Sequence, residues 1–301
     1  MKDISRYVRL KVIKIKHLFM LHDIKEHHDF AKKVEKVMQD YDYELIYNTS
    51  VTAARRYIEH CENPSRFYIV GGDGTLQQLL QSFVYTKHTV VVLPMGTGND
   101  FCHAMTNEKN SIQLLKQSLS LEPQVVDTIL MNHTYYINAA CFGLDQVIAS
   151  TVHDVQPIPL VPKSKAYILS ILRNVLKYKK QYVEISNENE ILYQGKVTLC
   201  TVNNAIYYGG GFPITPQALL QDGYMDICVV DDVPLHKYPH LISLLLQRKL
   251  SQRKEVHYFK EKELFVKCDG ACNVDGEKYE DNTYHFVMQP QSLSLIVYEK
   301  S

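Results

Sequence analysis

The stretch Gly71-Gly72-Asp73-Gly74-Thr75, taken with Pro94-Met95-Gly96-Thr97-Gly98-Asn99-Asp100, decides the fold. Each glycine turn follows a short apolar run, Phe67-Tyr68-Ile69-Val70 for the first and Thr89-Val90-Val91-Val92-Leu93 for the second. Each precedes a stretch able to form a helix, residues 76–83 and 101–105. A strand, a glycine turn and a helix together offer unpaired backbone N–H groups and a positive helix end to a phosphate. Glycine lets the backbone approach phosphate oxygens, and Thr75 and Thr97 add hydroxyl donors. Asp73 and Asp100 repel a phosphate, so their presence implies an intervening Mg2+ or an ordered network of donors. Either turn alone reads equally well as a tight βα connection without a ligand; two turns with matching Thr and Asp favour the phosphate.

Outward from these turns, strand and helix alternate. Residues 11–21 alternate basic and apolar side chains and predict a first strand, and 29–40 carry helical apolar spacing through Phe30, Val34, Val37 and Met38. A strand at 43–47, a helix at 51–61, strands at 67–70 and 89–93 and a helix at 75–84 follow. This order predicts an α/β fold, a Rossmann-like parallel sheet with helices on both faces, over residues 1–127. Both glycine turns then lie at the carboxyl ends of strands, where ligands gather in such sheets. After Asp127 strands dominate, at 128–132, 134–141, 181–187, 191–204, 224–231, 264–268, 283–288 and 293–298. They predict an all-β antiparallel sandwich over 128–301, with the C-terminal end free to return to the first domain. Helices at 164–178 and 235–250 interrupt it, and the absence of a glycine- or serine-rich linker predicts close packing of the two domains.

Bulk properties exclude several classes. The formal net charge of the 301 residues is zero, which gives no global pull toward nucleic acid. Seven irregularly spaced cysteines argue against a disulfide framework and for a reducing compartment. Cys268, Cys272 and His285 lack the spacing of a zinc site and read as incidental. No signal peptide is evident, and no apolar stretch approaches the ~20 residues of a membrane span. His22, His27 and His28, with Asp23 and Asp29, read as a polar loop and helix start rather than as metal ligands.

Gly-Gly-Asp-Gly-Thr at 71–75 resembles the nucleotide loop shared by diacylglycerol and sphingosine kinases, NAD kinases and phosphofructokinases. Pro-x-Gly-Thr-Gly-Asn-Asp-Phe at 94–101 is similar to the diacylglycerol kinase catalytic domain, in its soluble bacterial lipid kinase branch. Gly209-Gly210-Gly211-Phe212-Pro213 through Asp222-Gly223-Tyr224-Met225-Asp226, and Val274-Asp275-Gly276-Glu277, resemble later motifs of that branch, in order. The resemblance implies an ATP-dependent lipid kinase that moves the γ-phosphate of ATP to a lipid hydroxyl, most simply that of diacylglycerol. By position, Gly71, Gly72, Asp73, Gly74, Thr75, Gly96, Thr97, Gly98, Asn99 and Asp100 form the nucleotide site, with Thr49 matching a nucleotide-contacting threonine. Mg2+ is implied on the Asp222 side chain and the carbonyls of Leu219 and Tyr224, with Asp73 and Asp127 reaching it through water. Asp222 also reads as a plain turn residue, since Asp-Gly is a favoured turn pair.

Asp275 matches the family's proposed general base, and Glu277 shares its face if the segment is extended, as base or as orienter of the base. A β-hairpin turn at Asp275-Gly276 is the alternative. The chain departs from the family after its first strand. The usual Asn-Pro-x-Ser/Ala-Gly turn is replaced by Met20-Leu21-His22-Asp23-Ile24-Lys25-Glu26, where Lys25 supplies a charge for phosphate but no backbone donors. That departure keeps open a binding-only member of the family, which retention of Asp73, Asp222 and Asp275 opposes. An NAD kinase shares only the first loop. The implied setting is cytoplasmic, on the inner membrane face, with a membrane lipid as partner, no nucleic acid, and the oligomeric state open, a homodimer included. Arg173, Lys177, Lys179 and Lys180, and Arg248, Lys249, Arg253 and Lys254 after the apolar run 241–246, are basic clusters able to meet lipid headgroups or simply water.

Overall fold

The computed structural model describes residues 15–96, 98–143, 180–209 and 211–298. Four strands, β1 (His17–Met20), β2 (Tyr43–Ile46), β3 (Arg66–Gly71) and β4 (Thr89–Pro94), run parallel in the order β2-β1-β3-β4. Every residue of β1 and β3 is buried, as a sheet covered on both faces requires. The helices are α1 (Lys25–Met38), α2 (Val51–His60), α3 (Asp73–Leu80), α4 (Asp100–Met105) and α5 (Ser111–Ser118). Helix α5 is absent from the sequence expectation. Its start is nevertheless written in Asn110, whose side chain accepts from the Ile112 and Gln113 amides, ahead of buried Leu114 and Leu115.

The second half is built from β5 (Gln124–Met131), β6 (Thr134–Tyr136), β7 (Ala139–Gly143), β8 (Gln181–Ser186), β9 (Ile191–Asn203), β10 (Tyr207–Tyr208) and β11 (Phe212–Pro213). It continues through β12 (Met225–Asp231), β13 (Val256–Glu261), β14 (Glu263–Cys268), β15 (Cys272–Val274), β16 (Glu277–Tyr279) and β17 (Thr283–Leu295). Apart from β10 and β11, which pair with each other, these strands pair antiparallel into the sandwich, around Phe142, Val202, Ile227, Tyr284 and Phe286. Strands β10, β11, β13, β15 and β16 were not foreseen, and the expected strand 134–141 is divided into β6 and β7. The expected 283–288 and 293–298 form one strand, irregular between Gln289 and Leu293.

Strand β17 joins the two halves. Its first part pairs antiparallel with β5 and β14, and its end pairs parallel with β4, Ser294 beside Thr89 and Leu295 beside Val90. Leu293, Leu295, Ile296 and Tyr298 therefore lie in the core of the parallel sheet, with Phe67, Val91 and Leu115. The expected helix over 235–250 is shorter, α6 (Tyr238–Leu246), flanked by single 3-10 turns. The helix at 164–178, the start of the first strand, Thr97, Arg173, Lys177 and Lys179 lie outside the described residues. Among the described residues, no helix is long and apolar enough to cross a membrane. Among the described residues the cysteines form no disulfide; Cys268 donates to the Gly270 carbonyl, and His285 is engaged by Glu263 and stacked on Phe265.

Candidate active site

Parallel register places the carboxyl ends of β1, β3 and β4 side by side, with Gly71 opposite Pro94. The loops that follow touch each other directly. A Cβ on Gly96 would come within 2.5 Å of the Gly72 Cα, and one on Gly71 would meet the Thr75 hydroxyl at the same distance. Glycine is required here by the closeness of two loops, whereas a Cβ on Gly74 would meet nothing within 4 Å. Asn99 sits in the left-handed region (φ 56°). Its side-chain oxygen accepts from the Gly96 amide at 3.1 Å, and its nitrogen donates to the Gly96 carbonyl at 2.7 Å. The Asp73 carboxylate accepts from the amides of Asp100 at 3.0 Å and Phe101 at 3.3 Å, so it staples the second loop to the first. Of the two explanations for an acid in this place, the donor network is present. Burial and then the Asp100 charge raise the Asp73 pKa, and the amides of 99–101 pull against them.

His22, read from the sequence as part of a polar loop, stands at the end of β1 in the middle of this cluster. Its Nε2 is 3.0 Å from the Thr75 hydroxyl and its Nδ1 is 3.2 Å from that of Thr49. It thereby ties the loops after β1, β2 and β3 together. Its own amide donates to His27 Nδ1 at 3.0 Å. His27 is buried in α1; burial, then the nearby His22, lowers its pKa, which keeps the ring neutral and able to accept. Sequence spacing gave no hint of His22, because its partners lie 27 and 53 residues away on other loops. Lys25 begins α1 at the same end of the sheet and is exposed.

Asp275 approaches from the sandwich. Asp275 (φ 47°) and Gly276 (φ 98°) are the two-residue turn of the β15–β16 hairpin, in which Val274 pairs with Glu277. The segment is therefore not extended at this point, and the shared face expected for Asp275 and Glu277 does not exist. Glu277 is exposed on β16 and lines a cavity of about 670 Å3 with Arg55, Gln77, Gln81 and Tyr135. Asp275 is buried; its Oδ1 accepts from the Ala139 amide at 2.8 Å and its Oδ2 from those of Ile137 and Asn138, both at 3.2 Å. Burial pushes its pKa up to about 7 against those amides, and the Asp73 charge adds to the rise. The charge of Asp73, distant in sequence, thus reaches Asp275.

The expected metal residues form a second cluster. The Asp127 carboxylate, buried, accepts from the amides of Gly223 and Gln291, each at 2.8 Å. The Asp127 amide donates to the Leu220 carbonyl at 2.7 Å. Asp127 thus anchors the 220–223 turn to the body of the protein. Asp222 Oδ1 accepts from the Tyr224 amide at 3.1 Å, while its Oδ2 receives the Lys260 ammonium at 2.6 Å. Lys260 also lies 3.5 Å from Asp226, a carboxylate that is 1% exposed. Burial pushes Asp226 up to about 6 while Lys260 pulls it down. Burial would lower Lys260, but Asp222 and Asp226 outweigh it and hold the ammonium above its usual range. Leu219 and Tyr224 are exposed, and Lys262 lies 4.8 Å from the Tyr224 ring centre. A divalent ion on Asp222 would stand beside this ammonium, a repulsion of roughly 4 kcal/mol per unit of its charge at 4 Å near a protein surface. The residues present do not fit Mg2+ at Asp222.

Residues 24–131 match the family described as the diacylglycerol kinase catalytic domain, and residues 138–297 the one described as the YegS C-terminal NAD kinase beta sandwich-like domain. A diacylglycerol kinase of Staphylococcus saprophyticus is 28% identical over 235 residues, 76% of this chain and 74% of its own. A candidate YegS-like lipid kinase of Shewanella frigidimarina is 26% identical over 244 residues, 78% of this chain and 77% of its own. A structure of a candidate diacylglycerol kinase from Bacillus anthracis superposes with a TM-score of 0.74 at 18% identity, covering 95% of this chain and 97% of that one. An NAD kinase from Archaeoglobus fulgidus in complex with ATP superposes at 0.52 and 12% identity, covering 94% and 93%. At these identities the structural likeness shows a shared fold.

Proposed function

Because the chain belongs to the diacylglycerol kinase catalytic-domain family, in the branch carrying a YegS-type C-terminal sandwich, we propose that it phosphorylates a membrane lipid alcohol with ATP. Diacylglycerol, giving phosphatidic acid, is the first substrate to test. The observation that carries this reading is a buried carboxyl with a pKa of about 7, Asp275, raised in part by the charge of Asp73 in the first glycine loop. A general base works best when its pKa lies near the operating pH. A carboxylate has about four acceptor directions; at Asp275 three amides occupy three of them, two on Oδ2 and one on Oδ1. Oδ1 keeps the open direction and is the atom assigned to the lipid hydroxyl.

In the reaction, the lipid oxygen attacks the γ-phosphorus as its proton passes to Asp275 Oδ1. The bond from that phosphorus to the β–γ bridging oxygen breaks, and ADP leaves. ATP arrives as its Mg2+ chelate, which spreads the developing charge. The glycine loops, Thr49 and Thr75 with His22 hold the phosphates, and Glu277, outside this arrangement, has no assigned proton. Exposed Ile242 and Leu246 on α6, followed by Arg248 and Lys249, support approach to an anionic lipid surface.

The test is phosphoryl transfer from ATP to diacylglycerol, sphingosine or monoacylglycerol in mixed micelles, each assayed separately, with Asp275→Asn as the comparison. Phosphorylated lipid formed by the wild type and lost in the variant is expected. ATP binding with no product from any lipid would instead favour a binding-only family member.

A further inference from the structure

We infer that Lys260 is a built-in cation that closes the Asp222 turn, and that this turn accordingly neither requires nor takes up a divalent metal. The backbone sets the arrangement. Lys260 on β13 lies directly opposite Asp226 on β12 in an antiparallel pair, so both side chains leave the sheet on the same face. Asp226 is 1% exposed, and the side chains that hold its charged form against burial are Lys260 and Gln217. Its nearest cation is Lys260, at 3.5 Å. From that fixed position the ammonium reaches the Asp222 Oδ2 at 2.6 Å, which joins the turn to the sheet.

A metal on Asp222 would have to displace Lys260. Displacement would leave Asp226 as a buried charge with no counter-ion, an outcome far costlier than losing a surface ion pair. The other carboxylate of the neighbourhood is already committed, since Asp127 accepts from the Gly223 and Gln291 amides. Lys262, 4.8 Å from the Tyr224 ring centre, adds a second positive charge against a residue of this turn. The turn that carries Asp222 therefore has its cation supplied by the chain, and ordering of the 219–226 segment is independent of metal concentration.

The inference stands apart from the lipid-kinase reading, because it is tested on protein without nucleotide or lipid. Thermal unfolding and calorimetric titration are measured with MgCl2 alone, up to about 10 mM, a range in which a specific site would stabilise the fold by mass action. The wild type is expected to show no shift in Tm and no saturable heat. Lys260→Met is expected to melt roughly 5 °C lower or more and to regain part of that loss on addition of MgCl2. Lys260→Arg keeps the charge and is expected to behave as the wild type, which separates loss of the cation from general damage to β13. In Lys260→Met/Asp222→Asn the recovery by Mg2+ should vanish. A wild type that binds one Mg2+ per chain and loses it in Asp222→Asn would overturn the inference. So would a Lys260→Met protein as stable as the wild type and indifferent to Mg2+.

Discussion

The Asp275 carboxylate receives three backbone N–H donors yet has a pKa of about 7, because burial outweighs them and Asp73 adds a like charge. Its basic form fills as the pH rises through about 7, so kcat/KM should fall about tenfold per pH unit on the acid side. Asp275→Asn removes the base and turns an amide NH2 toward backbone donors, so a loss of about 1–3 kcal/mol in stability should accompany the loss of turnover. His22 is the second residue of interest. Its ring spans the hydroxyls of Thr49 and Thr75. His22→Ala deletes two hydrogen bonds of about 0.5–1.5 kcal/mol each, which predicts KM for ATP up by about tenfold with kcat changed less. An unchanged KM would remove His22 from the nucleotide site. Asp275 was legible in the sequence through its Asp-Gly-Glu motif. His22 was not, because three loops meet at it only once the parallel sheet has formed.

Among the elements, the two glycine loops were the most legible, since strand, glycine turn and helix recur, each turn with a Thr and an Asp. Their glycines differ in role, which only the structure separates. At Gly96 a Cβ would strike the Gly72 backbone, while at Gly74, inside the first turn of α3, it would meet nothing. Gly96→Ala should therefore lower both Tm and ATP affinity. Gly74→Ala should keep or raise Tm, because alanine favours the helix by about 0.5–1 kcal/mol, while ATP affinity falls where the open surface faces phosphate. Equal behaviour of the two variants in a melt and an ATP titration would contradict this division. The β15–β16 hairpin was legible only as the alternative turn at Asp275-Gly276; its strands are three residues long, too short for period-two alternation to register. Helix α6 came out shorter than the expected 235–250, because the chain leaves the helix at Gln247 and turns through Arg248 (φ 57°).

At the scale of the molecule, the C-terminal strand belongs to both halves. It extends the sandwich through β5 and β14 and then lies beside β4 in the parallel sheet. Leu293, Leu295, Ile296 and Tyr298 fill the core beneath the glycine loops. At about 1.5–3 kcal/mol for each buried large side chain, their loss approaches the whole stability of an ordinary domain. Deletion of residues 290–301 should abolish cooperative melting of the α/β half, and a truncated protein with wild-type Tm would contradict that role. The alternation of strand and helix and the later run of strands were legible throughout. The sharing of one strand between the halves was legible only as an option, because nothing local to residues 283–298 says which sheet each part joins. The decisive measurement is transfer of phosphate from ATP to a lipid alcohol by wild type and Asp275→Asn, both shown folded by their melting curves. Phosphorylated lipid from the wild type, rising with pH through about 7 and lost by at least about a hundredfold in the variant, is the expected result. Full turnover by Asp275→Asn would contradict the assignment of the base.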